Sequence, residues 1–180
     1  MRYRYLVVGG GMTGYAALKG IRAVDPQGPV ALVHREPHRP YQRPPLSKAL
    51  WSGLPEKAVF YDTPGPGVDL HRGEVVRFDP TLHAVELADG RSFEFERLLL
   101  ATGARPRRLP IPDDEGIVYF RSLDDYRRVR AHADAGHGET VLIGGGFIGL
   151  ELASALSDAG QDVTLVTRDE QLGRSRLPAM

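Results

Sequence analysis

The pattern of apolar and polar positions near the N-terminus predicts a strand, a tight turn and a helix. Residues 3 to 8 form a short apolar run that ends at consecutive glycines, and residues 12 to 24 then carry apolar side chains at helical spacing. Residues 30 to 33 are a second buried-strand candidate between the turn sequence DPQGP and a polar, proline-containing segment. These elements make a first β-α-β unit.

Residues 68 to 102 change to the alternation typical of strands. Two of these runs are joined at Asp89-Gly90, which predicts a hairpin. The run from Leu98 to Leu100 is predicted to be fully buried. The following GARPRRLPIPDDEG carries three prolines and many charges, which suits a connection between domains. We therefore expect a first domain over residues 1 to 106, a connection over 107 to 121 and a second domain over 122 to 180.

The second domain repeats the plan of the first. Ser122 and Asp125 resemble a capping box, and the helix that they begin is predicted to close at Gly136. The stretch TVLIGGGFIGLELASALSDAGQDVTLVT then reads as strand, glycine turn, helix and strand. The predicted fold class is α/β, with two Rossmann-like, three-layer ββα units that each bind a nucleotide, the second of them incomplete.

Both glycine turns match the spacing G-x-G-x-x-G, with Gly9, Gly11 and Gly14 in the first and Gly144, Gly146 and Gly149 in the second. The first glycine permits the sharp turn, the second lets backbone N–H groups approach a pyrophosphate, and the third lets the helix pack on the strand. Glycines also occur in such turns for steric reasons alone. Each match follows a buried strand and opens a helix, which favours a dinucleotide site.

The residues after the second strand of each unit are candidates for ribose recognition. Glu36 is the candidate acid in the first unit, and a solvated loop charge is the alternative. In the second unit Thr167 stands where an acid is expected and Arg168 follows it, which weakly favours NADPH. The alternative is that Arg168 points into solvent and that Asp169 or Glu170 takes the ribose.

Charge and composition exclude several classes of function. The 23 Lys and Arg residues balance the 23 Asp and Glu residues, so no bulk charge favours nucleic acid or an anionic membrane. No apolar run approaches the roughly 20 residues of a membrane helix, and the first strand begins too early for a signal peptide, so we expect a cytoplasmic protein. The six histidines show no metal-ligand spacing, and no serine lies in a G-x-S-x-G context.

Four stretches together resemble the FAD-dependent pyridine nucleotide oxidoreductases, and specifically the ferredoxin and rubredoxin reductase group, to which apoptosis-inducing factor is similar. The stretches are VVGGGMTG, PYQRPPLSKALW, LLLATGARPRRLP and GGGFIGLELA. The resemblance implies electron transfer from NAD(P)H through FAD to a small carrier, most plausibly a [2Fe-2S] ferredoxin of a P450 or dioxygenase system. Reduction of rubredoxin, monodehydroascorbate or a quinone is the alternative within the family.

The stiff, basic segment YQRPPLSKAL acquires a meaning from this resemblance. Arg43 and Lys48 would lie against the pyrophosphate and the flavin, and Lys48 would pair with Glu151 near flavin N5, where hydride arrives. The adjacent prolines fix φ and so hold the neighbouring cations at low entropic cost. Ser47 is a candidate cap for a short helix after it.

Other cofactor contacts follow from the resemblance alone. Ala101, Thr102 and Gly103 would pass close to FAD, the backbone of Val75 would contact adenine, and Arg107 would reach the cofactor, with Arg105 and Arg108 as equally basic alternatives. The same arginines, with Arg121 nearby, could instead form a basic face for an acidic ferredoxin. Such arginines more commonly bind the cofactor or are solvated at the surface.

The sequence departs from the family in two ways. It has no cysteine, which excludes the disulfide reductases and NADH oxidases that need one beside the flavin. It also stops just past the second strand of the second unit, whereas the family returns to complete the FAD domain and adds an interface domain. We therefore expect part of a longer reductase, with open sheet edges and uncovered apolar faces.

A non-catalytic interaction or redox-sensing module is the alternative from a different class. The incomplete second unit favours that reading. Lys48 and Glu151 together argue against it, because cofactor binding alone would not require both. The oligomeric state stays open.

Overall fold

A computed structural model of the chain describes residues 1–62, 65, 67–136, 138–168 and 172. Its strands are β1 (Arg2–Val8), β2 (Val30–His34), β3 (Val68–Arg72), β4 (Val75–Asp79), β5 (Ala84–Leu87), β6 (Ser92–Leu100), β7 (Glu139–Ile143) and β8 (Asp162–Val166). Its helices are α1 (Met12–Val24), α2 (Leu123–Asp134) and α3 (Phe147–Asp158), with short 3-10 turns at Pro44–Ser47 and Glu56–Val59. The order of strands and helices predicted for both repeated units is confirmed.

The chain forms two compact units. Unit 1 comprises Met1–Gln42 and Lys57–Ala104, and unit 2 comprises Arg43–Glu56 together with the chain from Arg105 onward. A short segment from the first half of the chain therefore belongs to the second unit by its contacts. The domain boundaries drawn along the sequence, at 106 and 122, stay a prediction.

Unit 1 has three layers. Its sheet has the order β3-β2-β1-β6-β5-β4, in which β1, β2, β3 and β6 run parallel and β4, β5 and β6 pair antiparallel. One core packs α1 against the parallel strands and contains Val7, Leu18, Val30 and Leu32. The core on the opposite face joins the parallel strands to the antiparallel ones, and contains Tyr3, Leu6, Val8, Ala31, Val33, Val85, Leu87, Phe93 and Phe95. This arrangement agrees with the predicted fold class.

The last residues of β6 show a limit of predicting burial from apolar patterns. The hairpin at Asp89-Gly90 is confirmed, since β5 and β6 pair antiparallel on either side of it. The predicted full burial of the run at the end of β6 is wrong, because Leu99 is 37% and Leu100 is 54% exposed. For Leu99 the reason is its place in the sheet. It pairs in register with Val7, and α1 packs against Val7, Val30 and Leu32 of β1 and β2, so Leu99 lies beside that helix rather than beneath it.

Unit 2 contains a short parallel sheet. Strands β7 and β8 pair in parallel, and α3 buries Leu152 and Leu156. Val141, Ile143 and Val166 are 60%, 63% and 47% exposed, which is the uncovered apolar face that we expected. Helix α2 begins with the predicted capping box.

Among the described residues, no helix is both long and apolar enough to cross a bilayer.

Candidate functional site

The two glycine turns have the same internal geometry. Gly9 and Gly144 adopt φ of 126° and 122°, which favours glycine at both positions. A Cβ on Gly14 would lie 1.9 Å from the Gly9 carbonyl oxygen, and one on Gly149 would lie 2.0 Å from the Gly144 carbonyl oxygen. The third glycine of each motif is therefore required for the first turn of the helix to approach the strand end.

The middle glycines face open space. Gly11 and Gly146 are the N-caps of α1 and α3, and a Cβ on either would meet no heavy atom within 4 Å. Neither helix has a side-chain cap or an acidic residue in its first turn. The first N–H groups of a helix lack intrahelical partners and carry partial positive charge. Both sites therefore fit a phosphate of a dinucleotide.

The stretch Ala101–Gly103 lies beside the first glycine turn. The Ala101 N–H donates to the Val8 carbonyl oxygen at 2.8 Å, and the Ala101 carbonyl oxygen would lie 2.1 Å from a Cβ on Gly9. Thr102 and Gly103 follow in exposed backbone. The structure thus brings two sequence-predicted segments to the carboxyl ends of β1 and β6.

The residues after β2 border the same turn. The Gly9 N–H donates to the Val33 carbonyl oxygen at 2.8 Å, and a Cβ on Gly10 would lie 2.8 Å from the His34 Cβ. Glu36 is half-buried, and its carboxylate accepts a hydrogen bond from the Tyr41 hydroxyl. Burial lowers the pKa of His34 below its ordinary value, which favours a neutral ring there. The ribose role of Glu36 stays a prediction.

Unit 2 repeats this register. The Gly144 N–H donates to the Val166 carbonyl oxygen at 2.8 Å, and a Cβ on Gly145 would lie 2.8 Å from the Thr167 hydroxyl oxygen. Thr167 therefore takes the place of His34, and the exposed Arg168 takes the place of Arg35. The alternatives Asp169 and Glu170 lie outside the described residues.

Val75 begins β4 in unit 1. It pairs with Leu87 in the antiparallel ladder and packs half-buried against the larger core. The Gly73 N–H donates to the His34 carbonyl oxygen at 2.9 Å, which ties the connection before Val75 to the end of β2. Its contact with adenine stays a prediction.

Three arginines, Arg105, Arg107 and Arg108, lie in an exposed segment of unit 2. Arg108 Nη1 lies 2.5 Å from Asp113 Oδ1, and its guanidinium lies 5.0 Å from the centre of the Tyr119 ring. Arg107 is also exposed. The cofactor role of Arg107 stays a prediction.

The segment that carries Lys48 is built as a compact 3-10 turn. Arg43 precedes the turn, and its Nη1 donates to the Arg121 carbonyl oxygen at 3.1 Å. Leu46 and Leu50 are buried, and Trp51 Nε1 donates to the Leu46 carbonyl oxygen at 2.8 Å. These contacts fix the backbone on both sides of the lysine.

Lys48 and Glu151 form the expected ion pair. Lys48 Nζ lies 2.7 Å from Glu151 Oε2, and Glu151 stands on α3, the helix that follows the second glycine turn. The two side chains are 54% and 28% exposed. Burial acts to raise the pKa of Glu151, but hydrogen bonds from Lys48 and Ser47 outweigh it and hold this pKa below its ordinary value. The roles of the pair at a flavin stay predictions.

Ser47 has a different contact from the one predicted. It is the last residue of the 3-10 turn rather than the cap of a following helix, and its hydroxyl donates to Glu151 Oε2 at 2.7 Å. The two residues are 104 positions apart, so no local pattern pairs them.

Helix α2 supports the same segment, which sequence patterns also did not reveal. Tyr126 meets Trp51 edge to face with ring centres 5.6 Å apart, and the Arg130 guanidinium lies 5.4 Å from the Trp51 ring. Arg127 Nη2 lies 2.6 Å from Glu56 Oε1. All of these residues belong to unit 2.

Within the described part of the chain, no group of three or more His, Cys, Asp or Glu residues is placed to hold a metal ion.

Comparison with known proteins gives a consistent result. A family model described as pyridine nucleotide-disulphide oxidoreductase matches residues 3–180. The p-cumate 2,3-dioxygenase system ferredoxin–NAD(+) reductase component of Pseudomonas putida is 35% identical over 178 residues, which are 94% of this chain and 44% of the relative. Rubredoxin-NAD(+) reductase of the same species is 37% identical over 170 residues, which are 89% of this chain and 44% of the relative.

Among solved structures, a chain of the covalent putidaredoxin reductase–putidaredoxin complex is similar with a TM-score of 0.86 and 32% identity. The match covers 94% of this chain and 43% of that one. The chain therefore spans less than half the length of these relatives.

Proposed function

Because the chain belongs to the pyridine nucleotide-disulphide oxidoreductase family, we propose that it supplies the FAD-binding and NAD(P)H-binding parts of a reductase that passes electrons to a small carrier. The observation that carries this proposal is the repeated glycine turn. Two strand-turn-helix sites of the same geometry, each with an open helix N-terminus, suit a reaction that uses two dinucleotides.

Unit 1 is the proposed FAD site. Gly11 leaves room for the pyrophosphate, and Ala101–Gly103 border the turn from a neighbouring strand end. Ligands of open parallel sheets bind at the carboxyl ends of the strands, where these segments lie. Glu36 is the proposed partner of the ribose hydroxyls.

Lys48 and Glu151 are the proposed catalytic residues. Bound flavin would accept a hydride from the nicotinamide and give electrons to the carrier. The Lys48 cation near flavin N5 would stabilise the reduced ring, while Glu151 restrains the lysine and tempers its charge. Because the chain has no cysteine, it contributes no thiol to the reaction.

A [2Fe-2S] ferredoxin is the proposed carrier. Support comes from the relative named as a ferredoxin–NAD(+) reductase component of a dioxygenase system. Rubredoxin is the second candidate, because a relative of similar identity is named for it. The cytoplasmic location and the carrier surface both stay predictions.

The nicotinamide donor is proposed to be NADH. Arg168 had suggested NADPH, but Arg35 stands at the same place in unit 1, for which FAD is proposed. An arginine at this position therefore does not by itself indicate a 2′-phosphate. Both relatives described above are named as NAD(+) reductases.

The test is an anaerobic titration of the purified chain after FAD addition and desalting. We expect flavin absorbance to be retained and to bleach on addition of NADH, and less readily with NADPH. Retained flavin that neither donor bleaches would favour the non-catalytic module. Loss of all flavin on desalting would contradict FAD binding by this chain.

Lys48→Ala tests the catalytic assignment, with exposed Lys19→Ala on α1 as the matched control. We expect Lys48→Ala to retain FAD and to slow its reduction roughly tenfold or more, equivalent to at least about 1.4 kcal/mol of barrier. An unchanged rate, equal to that of Lys19→Ala, would remove Lys48 from the proposed mechanism.

A further inference from the structure

Ser47 is a polar side chain in an otherwise apolar turn. It is 7% exposed, and its neighbour Leu46 is 2% exposed. A buried hydroxyl costs free energy unless it is hydrogen-bonded. Serine hydroxyls most often find that partner in the local backbone, whereas Ser47 donates to a carboxylate on α3.

The contact converges with that of the adjacent lysine. Ser47 Oγ and Lys48 Nζ each lie 2.7 Å from the same atom, Glu151 Oε2. The lysine is half exposed and has a long, flexible stem, whereas the serine is buried in a turn of fixed backbone. Ser47 therefore supplies the rigid donor of the two.

We propose that Ser47 is a positioning residue that holds the Glu151 carboxylate turned toward Lys48. Its relevance to hydride transfer rests on the proposed function. The Ser47 hydroxyl holds Glu151 Oε2 in place through a charge-assisted hydrogen bond. The position of this acceptor therefore does not depend on which rotamer the Lys48 side chain adopts.

The surroundings of the turn suit this role. Trp51 Nε1 donates to the Leu46 carbonyl oxygen, and Tyr126 packs against the Trp51 ring. These contacts hold the turn independently of Glu151, so removal of the Ser47 hydroxyl is expected to alter the carboxylate more than the backbone. Ser47→Ala is therefore an interpretable variant.

The first measurement is the titration of the Glu151 side-chain carboxyl carbon by NMR in the 180-residue chain without added cofactor. We compare wild type with Ser47→Ala, and use the exposed Ser52→Ala of the same segment as the control. Loss of the donor should raise the pKa of Glu151 toward its ordinary value, while Ser52→Ala leaves it unchanged. Ser47→Thr, which retains a hydroxyl, should restore the wild-type titration.

The second measurement is the rate of flavin reduction by NADH in the FAD-loaded chain. We expect Ser47→Ala to slow it roughly three- to tenfold, since one hydrogen bond to a charged group is lost. A titration of Ser47→Ala identical to wild type would overturn the proposal. A wild-type chain that does not reduce flavin would overturn the proposed function instead, and the titration would still decide the role of Ser47.

Discussion

The two glycine turns share the contacts within the motif and differ in their contacts with the rest of the chain. In each, the third glycine is pressed against the carbonyl of the first, and the middle glycine faces open space. Around Gly9, however, the Ala101 carbonyl approaches so closely that a Cβ would lie 2.1 Å from it, whereas a Cβ on Gly144 would meet nothing within 4 Å. The glycine motif thus determines the conformation of each turn. The chain that follows β6, which is distant in sequence, determines how closely the first turn is enclosed.

The largest expected effect is a loss of stability on substitution of the third glycine of either motif. Gly14→Ala and Gly149→Ala should each destabilise their own unit by roughly 3 to 5 kcal/mol, because a methyl group cannot fit against backbone that must shift. Trp51 is the chain's one tryptophan and lies in unit 2, so its fluorescence in urea should report mainly Gly149→Ala. Equal effects of both variants on that signal would show that the units unfold together.

The next effect is a difference between the two turns in the cost of substituting the first glycine. Gly144→Ala should cost about 1 to 3 kcal/mol from its positive φ alone. Gly9→Ala carries the same strain and also meets the Ala101 carbonyl, so its cost should exceed that of Gly144→Ala by about 2 kcal/mol. Residue-resolved hydrogen exchange measures both, and similar losses would mean that Ala101 moves away at little cost.

The middle glycines should affect ligands rather than stability. Gly11→Ala and Gly146→Ala have free space and ordinary backbone angles, so each should cost no more than about 1 kcal/mol, the difference between glycine and alanine at a helix N-cap. We expect Gly11→Ala to weaken FAD binding and Gly146→Ala to weaken NADH binding, each by tenfold or more. Calorimetry with each ligand checks this, and exchanged effects would reverse the assignment of the two units.

The smallest expected effect is on the pH dependence of stability, and it concerns unit 1. A hydrogen bond from Arg4, followed by one from the Gly28 N–H, lowers the pKa of Asp25 from 3.8 to about 2. Because the folded pKa lies below the unfolded one, the stabilisation is present above about pH 4 and is lost as pH falls toward 2. Asp25→Asn should flatten that dependence for amides of β1 and β2, measured by hydrogen exchange, and an unchanged slope would contradict it.

Local elements could be predicted because their causes are local. Helix α1 has the predicted bounds, and the capping box joins Ser122 to Asp125 as expected. The ion pair of Lys48 with Glu151 was found only through the family resemblance.

Features that depend on distant packing could not be predicted. Leu100 reads as buried from its neighbours in sequence, yet its exposure depends on which element covers the end of β6. The contact of Ser47 with Glu151 joins two segments whose patterns carry no sign of each other.

The assignment of Arg43–Glu56 to unit 2 sets a rule for recombination between related reductases. A chimera joined once, after Ala104, would place a foreign 43–56 segment against the native α2 and α3. The Arg127–Glu56 and Ser47–Glu151 contacts would then depend on chance matches between two parents. A chimera that exchanges whole units needs three junctions, after Gln42, Glu56 and Ala104.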